Sequence, residues 1–194
     1  MARHVCPLWV GYLLSSPLRK LVQNPAKILG PHVKPGMTVL DLGPAMGYFS
    51  LPMAGMVAPG GKVVCVDLQP KMLEALARRA AKAGLSKQIE TVTCTTESLC
   101  LTERAESIDF ALVFAVLHEI GDQKQCLSEL LAALKPGALV LLAEPRNHVR
   151  QQDFDASIGL AQQVGFAVVK PLSIRASRAA LLTRPAQPAE APGR

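Results

Sequence analysis

Several acidic and imidazole side chains stand where apolar runs end, which is where a chain of alternating strands and helices gathers its chemistry. Asp41 lies in Thr38-Val-Leu-Asp-Leu42 and is followed by Gly43-Pro-Ala-Met-Gly47-Tyr48. Glycines at both ends of such a turn let backbone approach a bound molecule closely. The spacing is G-x-x-x-G, and Tyr48 stands where a G-x-G-x-x-G dinucleotide loop carries its last glycine. A carboxylate two residues before the first glycine repels a pyrophosphate and suits the ammonium end of an amino-acid group. Asp67 closes Lys62-Val-Val-Cys-Val-Asp67. A carboxylate there can accept hydrogen bonds from both hydroxyls of a ribose. NAD enzymes share that role, so Asp67 supports a nucleoside without choosing the cofactor. His118 follows the run Ile108–Leu117. An imidazole with a pKa near 6.5 is largely neutral at pH 7 and can take up a proton. His118 is therefore the candidate general base; a loop histidine that lines a cofactor or caps the next helix is the competing reading. Glu119, Glu144 and Arg146, with His148 beyond, are candidates for a substrate pocket. Asp122 suits the N-cap of the following helix.

These groups can meet only if the runs that carry them lie side by side. Residues 37–42, 62–67, 89–94, 107–114 and 138–143 read as short strands, the second being β-branched throughout its centre. Between them lie helical patterns at 46–56, 70–83 and 123–134. The second has Pro70 at its first position, Met72, Leu73, Leu76 and Ala80 at helical spacing, and Gly84 as its stop. Lys135-Pro-Gly137 is expected to close the third. A helix at 151–164, stopped by Gly165, and strands at 166–172 and 179–183 complete the pattern. Residues 17–32 have room for one or two short helices. The alternation predicts a parallel sheet with helices on both faces. There are no internal repeats.

With those elements in place, D-x-G-x-x-x-G over Asp41–Gly47 resembles the first motif of the class I S-adenosylmethionine (SAM)-dependent methyltransferases. The family more often has glycine where Ala45 stands. The run Ile108–Ile120 is similar to the family's fourth strand and the loop beside the transferred methyl. Leu134-Lys-Pro-Gly-Ala138 is similar to its LKPGG turn. Together the motifs span residues 37–145 in the family's order. The resemblance implies a Rossmann-like α/β sandwich, with a mostly parallel seven-stranded sheet and helices on both faces, and SAM as cofactor. It places Asp41, Gly43, Ala45 and Gly47 near the methionine moiety, Asp67 and Leu68 at the nucleoside, and Thr95, Thr96 and Glu97 near the adenine. Thr95 stands where the family often has an acid. Leu68 and Met72 suit adenine packing and ordinary core packing equally.

The whole pattern resembles the small bacterial and archaeal type 11 methyltransferases, relatives of the quinone-biosynthesis enzymes. Cys6–Leu14 and Asn24–Leu29 are similar to that group as well. Trp9 and Tyr12 in the first of these segments are candidate lid residues over the methyl site. The function so implied is methyl transfer to a small-molecule acceptor. An RNA or protein methyltransferase that uses the basic chain ends is one alternative, and a non-catalytic SAM-binding module is another. The Asn/Asp-Pro-Pro-Tyr/Phe signature of amino-methylating enzymes is absent; that position reads Phe114-Ala-Val-Leu-His118.

Composition bounds these readings. The chain has 194 residues, 49% hydrophobic and 19% charged, enough for one well-buried core. The net charge of +6 sits at the ends: residues 1–40 carry five basic side chains and no acid, while residues 41–145 carry nine basic and twelve acidic. No basic cluster interleaves with aromatics, so nucleic acid is not the expected partner. No apolar run reaches the roughly 18 residues of a membrane span. The stretch Val5–Leu14 loosely resembles a signal peptide but is broken by Pro7 and Gly11. The five cysteines form no close pairs; a cytoplasmic protein is expected, with Cys65, Cys94 and Cys126 as buried thiols and neither disulfides nor a metal site. The expected organisation is an N-terminal helical cap at 1–35, a SAM-binding domain at 36–184 and a disordered tail at 185–194. Oligomeric state is not encoded legibly.

Overall fold

The apolar runs pair into one seven-stranded sheet, and the computed structural model describes residues 22–186 of the chain. The strands are β1 (Thr38–Leu42), β2 (Lys62–Asp67), β3 (Ile89–Thr93), β4 (Ile108–Phe114), β5 (Leu134–Pro145), β6 (Ala167–Leu172) and β7 (Ser177–Thr183), in the order β3-β2-β1-β4-β5-β7-β6. The first five run parallel to one another. β7 runs antiparallel to both β5 and β6.

A central parallel strand is covered on both faces and must be apolar throughout. Val63, Val64, Cys65 and Val66 of β2 accordingly expose 0% of their surface. Side-chain alternation then divides the core. Leu40, Leu42, Val64 and Val66 face one cluster, closed by Leu127 and Leu130 of α4 (Gln123–Ala133) and Phe154 and Ala161 of α5 (Gln151–Val164). Val39, Val63, Cys65 and Leu112 face the other. It is closed by Leu29 of α1 (Pro25–Leu29), Met53 and Val57 of α2 (Ser50–Val57), and Leu73 and Leu76 of α3 (Pro70–Lys82). The result is the expected three-layer sandwich.

The chain runs outward from β1 to β3 and then returns to place β4 against the other side of β1. The crevice outside the carboxyl ends of β1 and β4 is where open α/β sheets bind ligands.

Two expected boundaries differ for physical reasons. The helix expected from Met46 begins at Ser50, because Ala45 (φ 48°) and Gly47 (φ 85°) are left-handed and hold residues 44–49 in turns. The segment Lys135-Pro-Gly137 does not close α4 outside the sheet. It is a bulge within β5: Leu134 already pairs with Ile108, and regular pairing resumes at Leu139 opposite Phe110, with Gly137 at φ 79°. Trp9, Tyr12 and Cys6, most of the expected cap and nearly all of the expected tail lie outside the described residues. Among the described residues no helix is long and apolar enough to cross a membrane.

Candidate active site

A cavity of about 530 Å³ opens at the carboxyl ends of β1 to β4, within the roughly 300–1,000 Å³ typical of small-molecule pockets. Asp41, Gly43, Ala45, Asp67, Leu68, Thr95, Thr96, Glu97 and Glu119 all line it. Residues expected from four separate segments thus meet in one place.

The loop after β1 is shaped by backbone. Gly43 (φ 68°) sits so close to Val116 that an added Cβ would lie 2.6 Å from Val116 Cγ2. Both the left-handed conformation and the contact demand glycine. Gly43 N–H donates to Val66 O at 2.9 Å, tying the loop to β2. Gly47 lies behind the cavity wall, against Leu76. Asp41 is 2% exposed and accepts a 2.6 Å hydrogen bond from the hydroxyl of Ser50, the first residue of α2. Its charge reaches Cys65 behind it, where burial first and Asp41 second push the thiol well above its ordinary pKa.

Asp67 carries the next loop. Its carboxylate accepts from Gln69 N–H at 2.9 Å and is hydrogen-bonded by the backbone of Ala45 and Leu68. Burial nevertheless raises its pKa above the ordinary value, the three backbone bonds opposing that rise. One carboxylate thus fixes the β1 and β2 loops against each other and still faces the cavity.

After β3 the chain makes a tight turn in which the Thr95 hydroxyl accepts from Glu97 N–H at 3.2 Å and Ser98 N–H at 3.0 Å. The same bonds would cap a helix, but here they close a side-chain turn. Glu97 and Thr96 are joined by a short hydrogen bond that holds the Glu97 carboxyl below its ordinary pKa. The turn is braced from α4: Glu129 accepts from Ser98 Oγ at 3.0 Å, from Leu99 N–H at 2.7 Å and from Gln125 Nε2 at 2.9 Å. Ser98, Val116 and Glu129 line the cavity and were not expected from the sequence. Their positions depend on contacts between distant segments, which no local pattern announces.

The loop after β4 is arranged differently. His118 does not line the cavity; its Nδ1 lies 2.6 Å from Glu144 Oε2, and its backbone N–H donates to Glu144 Oε1 at 3.2 Å. Glu144 ends β5 and is 1% exposed. The hydrogen bond to Glu144 is the main influence raising the His118 pKa above its ordinary value, against partial burial. His148 packs edge-on against His118 with ring centroids 5.9 Å apart. Glu119, next in sequence, is on the cavity wall, and burial raises its pKa. Asp122 caps α4 by accepting from Gln125 N–H at 2.9 Å. Arg146 is elsewhere: its Nε donates to Ser177 O at 3.0 Å, and it borders a separate depression between α5, β6 and β7.

Cys65 and Cys126 are buried and Cys94 partly so, while Cys100 is exposed. Cys126 is pushed up to about 12 and Cys94 to about 11, burial being the first cause in each. Among the described residues no cluster of histidine, cysteine or carboxylate side chains is arranged to hold a metal ion.

A mostly parallel sheet with this strand order, a glycine cradle after β1 and a carboxylate at the end of β2 define a class I methyltransferase fold. The chain matches the model of a methyltransferase domain family over residues 33–170 and belongs to that family. It is 29% identical over 126 residues to the ubiquinone/menaquinone biosynthesis C-methyltransferase of Hahella chejuensis, covering 63% of this chain and 50% of that protein. It is 28% identical over 127 residues to the corresponding protein of Pseudomonas savastanoi pv. phaseolicola, covering 64% and 49%. The chain therefore spans about half the length of the curated relatives it matches. Among solved structures, a SAM-dependent methyltransferase from Aquifex aeolicus superposes with a TM-score of 0.83 at 22% identity, over 93% of this chain and all of that one. A SAM-dependent methyltransferase structure from Methanococcus maripaludis gives 0.78 at 13% identity, over 97% and 99%. These likenesses agree on the fold, and the family makes SAM the cofactor.

Proposed function

We propose that this domain transfers the methyl group of SAM to a small-molecule acceptor. The observation that carries the reading is the convergence of Asp41, Gly43, Ala45, Asp67 and Thr95 on a single cavity at the carboxyl ends of β1 to β3. In this reading Asp41 and the Gly43–Gly47 backbone hold the methionine arm, and Asp67 receives the ribose hydroxyls. Leu68 and the Thr95–Glu97 turn enclose the adenine. When bound, the cofactor supplies an electrophilic methyl on a sulfonium. What remains for the protein is to align the acceptor in line with that methyl and to exclude water. Phe49, Phe114, Tyr48 and Val116 supply apolar wall for this purpose.

His118 stands outside the cavity lining, next to Glu119 on the wall, so this reading gives it the holding of the loop after β4 and, for a nucleophile that must lose a proton, uptake of that proton only once the loop brings the ring to the cavity. Glu144 holds Nδ1, which leaves Nε2 as the basic nitrogen of the neutral ring. The names of the relatives, C-methyltransferases of quinone biosynthesis, support a small acceptor. A nucleic-acid acceptor is disfavoured by the acidic cavity wall, which repels phosphate.

The test is incubation of a cell lysate with the protein and SAM radiolabelled on its methyl, followed by size fractionation. Label is expected in the small-molecule fraction and should vanish with Asp67→Ala. Label that enters RNA or protein instead would overturn the choice of acceptor.

A further inference from the structure

The cavity wall carries six acids, Asp41, Asp67, Glu97, Glu119, Asp122 and Glu129, and among the described residues no lysine, arginine or histidine. Five of the six are committed to the protein. Asp41 takes the Ser50 hydroxyl, Asp67 the loop amides, Glu97 the Thr96 hydroxyl, Asp122 the Gln125 amide, and Glu129 the turn after β3. Glu119 differs: among the described residues its carboxylate accepts no hydrogen bond. It is also no spectator at a distant rim. It is half-buried at the carboxyl end of β4, close enough to Asp67, Glu144, His118 and His148 for each to influence its charge.

The Glu119 oxygens open on the cavity, so a ligand donor can take them without breaking any hydrogen bond within the protein. The proposed cofactor positions lie along β1, β2 and β3, which leaves the β4 side for the second substrate. We infer that Glu119 is the acceptor-reading residue of this cavity. Its carboxylate receives a hydrogen bond from a hydroxyl or ammonium group carried by the methyl acceptor, and the site admits neutral or cationic acceptors and rejects carboxylates and phosphates. The inference rests on the methyltransferase reading and specifies its substrate class. Among the described residues the cavity wall offers an anionic acceptor no lysine, arginine or histidine, which leaves only the positive charges of bound SAM to meet it, and Asp67 and Glu144 add to the repulsion at Glu119 itself. His118 opposes that repulsion only when protonated, so selectivity against anions sharpens as pH rises through its raised pKa.

A test that needs no acceptor uses sinefungin, in which an ammonium group replaces the methyl sulfonium of SAM, beside S-adenosylhomocysteine, which has neither charge nor methyl there. Both are titrated calorimetrically into the wild type, Glu119→Gln and Glu119→Asp. Sinefungin affinity should fall about tenfold in Glu119→Gln while S-adenosylhomocysteine affinity is unchanged, the loss matching one charge-assisted hydrogen bond. Glu119→Asp should recover part of it. Unchanged or equal losses for the two ligands in Glu119→Gln would overturn the assignment, since Glu119 would then not face the methyl position. A wild type that binds neither ligand would instead remove the methyltransferase reading on which the assignment stands. Where a labelled-methyl assay of matched phenols, amines, benzoates and phosphate esters finds turnover, it must fall among the first two; a methylated benzoate or phosphate ester would overturn the charge rule.

Discussion

The loops after β1 and β2 and the loop after β4 build adjoining walls of one cavity by different means. On the first side the work is done by backbone and by carboxylates already engaged. Asp67 ties its own loop to Ala45, Asp41 is locked to Ser50, and Gly43 lets Val116 press against bare backbone. On the second side it is done by side chains. His118 is leashed to a buried glutamate from the next strand, and Glu119 is left with an unused carboxylate. A surface fixed by its own hydrogen bonds suits a ligand that never changes, which is the cofactor. A surface of individually placed side chains suits the proposed acceptor, whose groups they can meet one by one.

The contrast can be broken at its stiffest point first. Gly43→Ala combines a left-handed alanine with a contact that Val116 cannot easily yield. It should lower stability by about 2–4 kcal/mol in denaturant unfolding. In a Val116→Ala background the Gly43→Ala penalty should shrink by about 1 kcal/mol, because the steric part is relieved and the backbone part is not. Equal penalties in both backgrounds would remove the close approach as the reason for glycine.

The β4 side should be more tolerant and more sensitive to pH. Glu144 raises the His118 pKa in the folded state, so the pair adds stability in full below the ordinary histidine value of about 6.5. That contribution is lost as pH rises through the raised folded value. The Tm gap between wild type and Glu144→Gln should therefore be widest near about pH 6 and narrow on the alkaline side. A gap independent of pH would mean that the two groups are not coupled in solution.

The smallest expected effect returns to the first loop. Ala45 has φ 48°, a conformation that glycine adopts without strain. Ala45→Gly should gain about 0.5–1 kcal/mol, the relief of strain exceeding the added freedom of the unfolded chain. A loss of that size would show the methyl group of Ala45 to be packed for a purpose.

Legibility in the sequence follows the same division. The first loop could be read because its determinants are contiguous: the strand, Asp41, two glycines and the helix lie within a dozen or so residues. Asp67 was legible because it ends an uninterrupted β-branched run. The β-bulge in β5 was not, since Lys135-Pro-Gly137 reads locally as a helix stop and its pairing with β4 is a tertiary event. Nor was the link between His118 and Glu144. The sequence presents them as two separate site candidates, and only the pairing of β4 with β5 makes them one unit. Glu129 escaped for the same reason, being a helix residue that acts on a turn well before it in the chain. Arg146 was placed by position alone at the carboxyl edge of β5, where its guanidinium turns away to Ser177.

Every role assigned to the cavity residues depends on the cavity being a SAM site. The most direct test is a calorimetric titration of the wild type and Asp67→Ala with SAM, with NAD as the control ligand. The wild type should bind one SAM and no NAD, and Asp67→Ala should bind SAM about 100-fold more weakly, as expected when charge-assisted hydrogen bonds and the loop they brace are lost together. No heat from SAM at millimolar concentration, or binding of NAD in its place, would contradict the central claim.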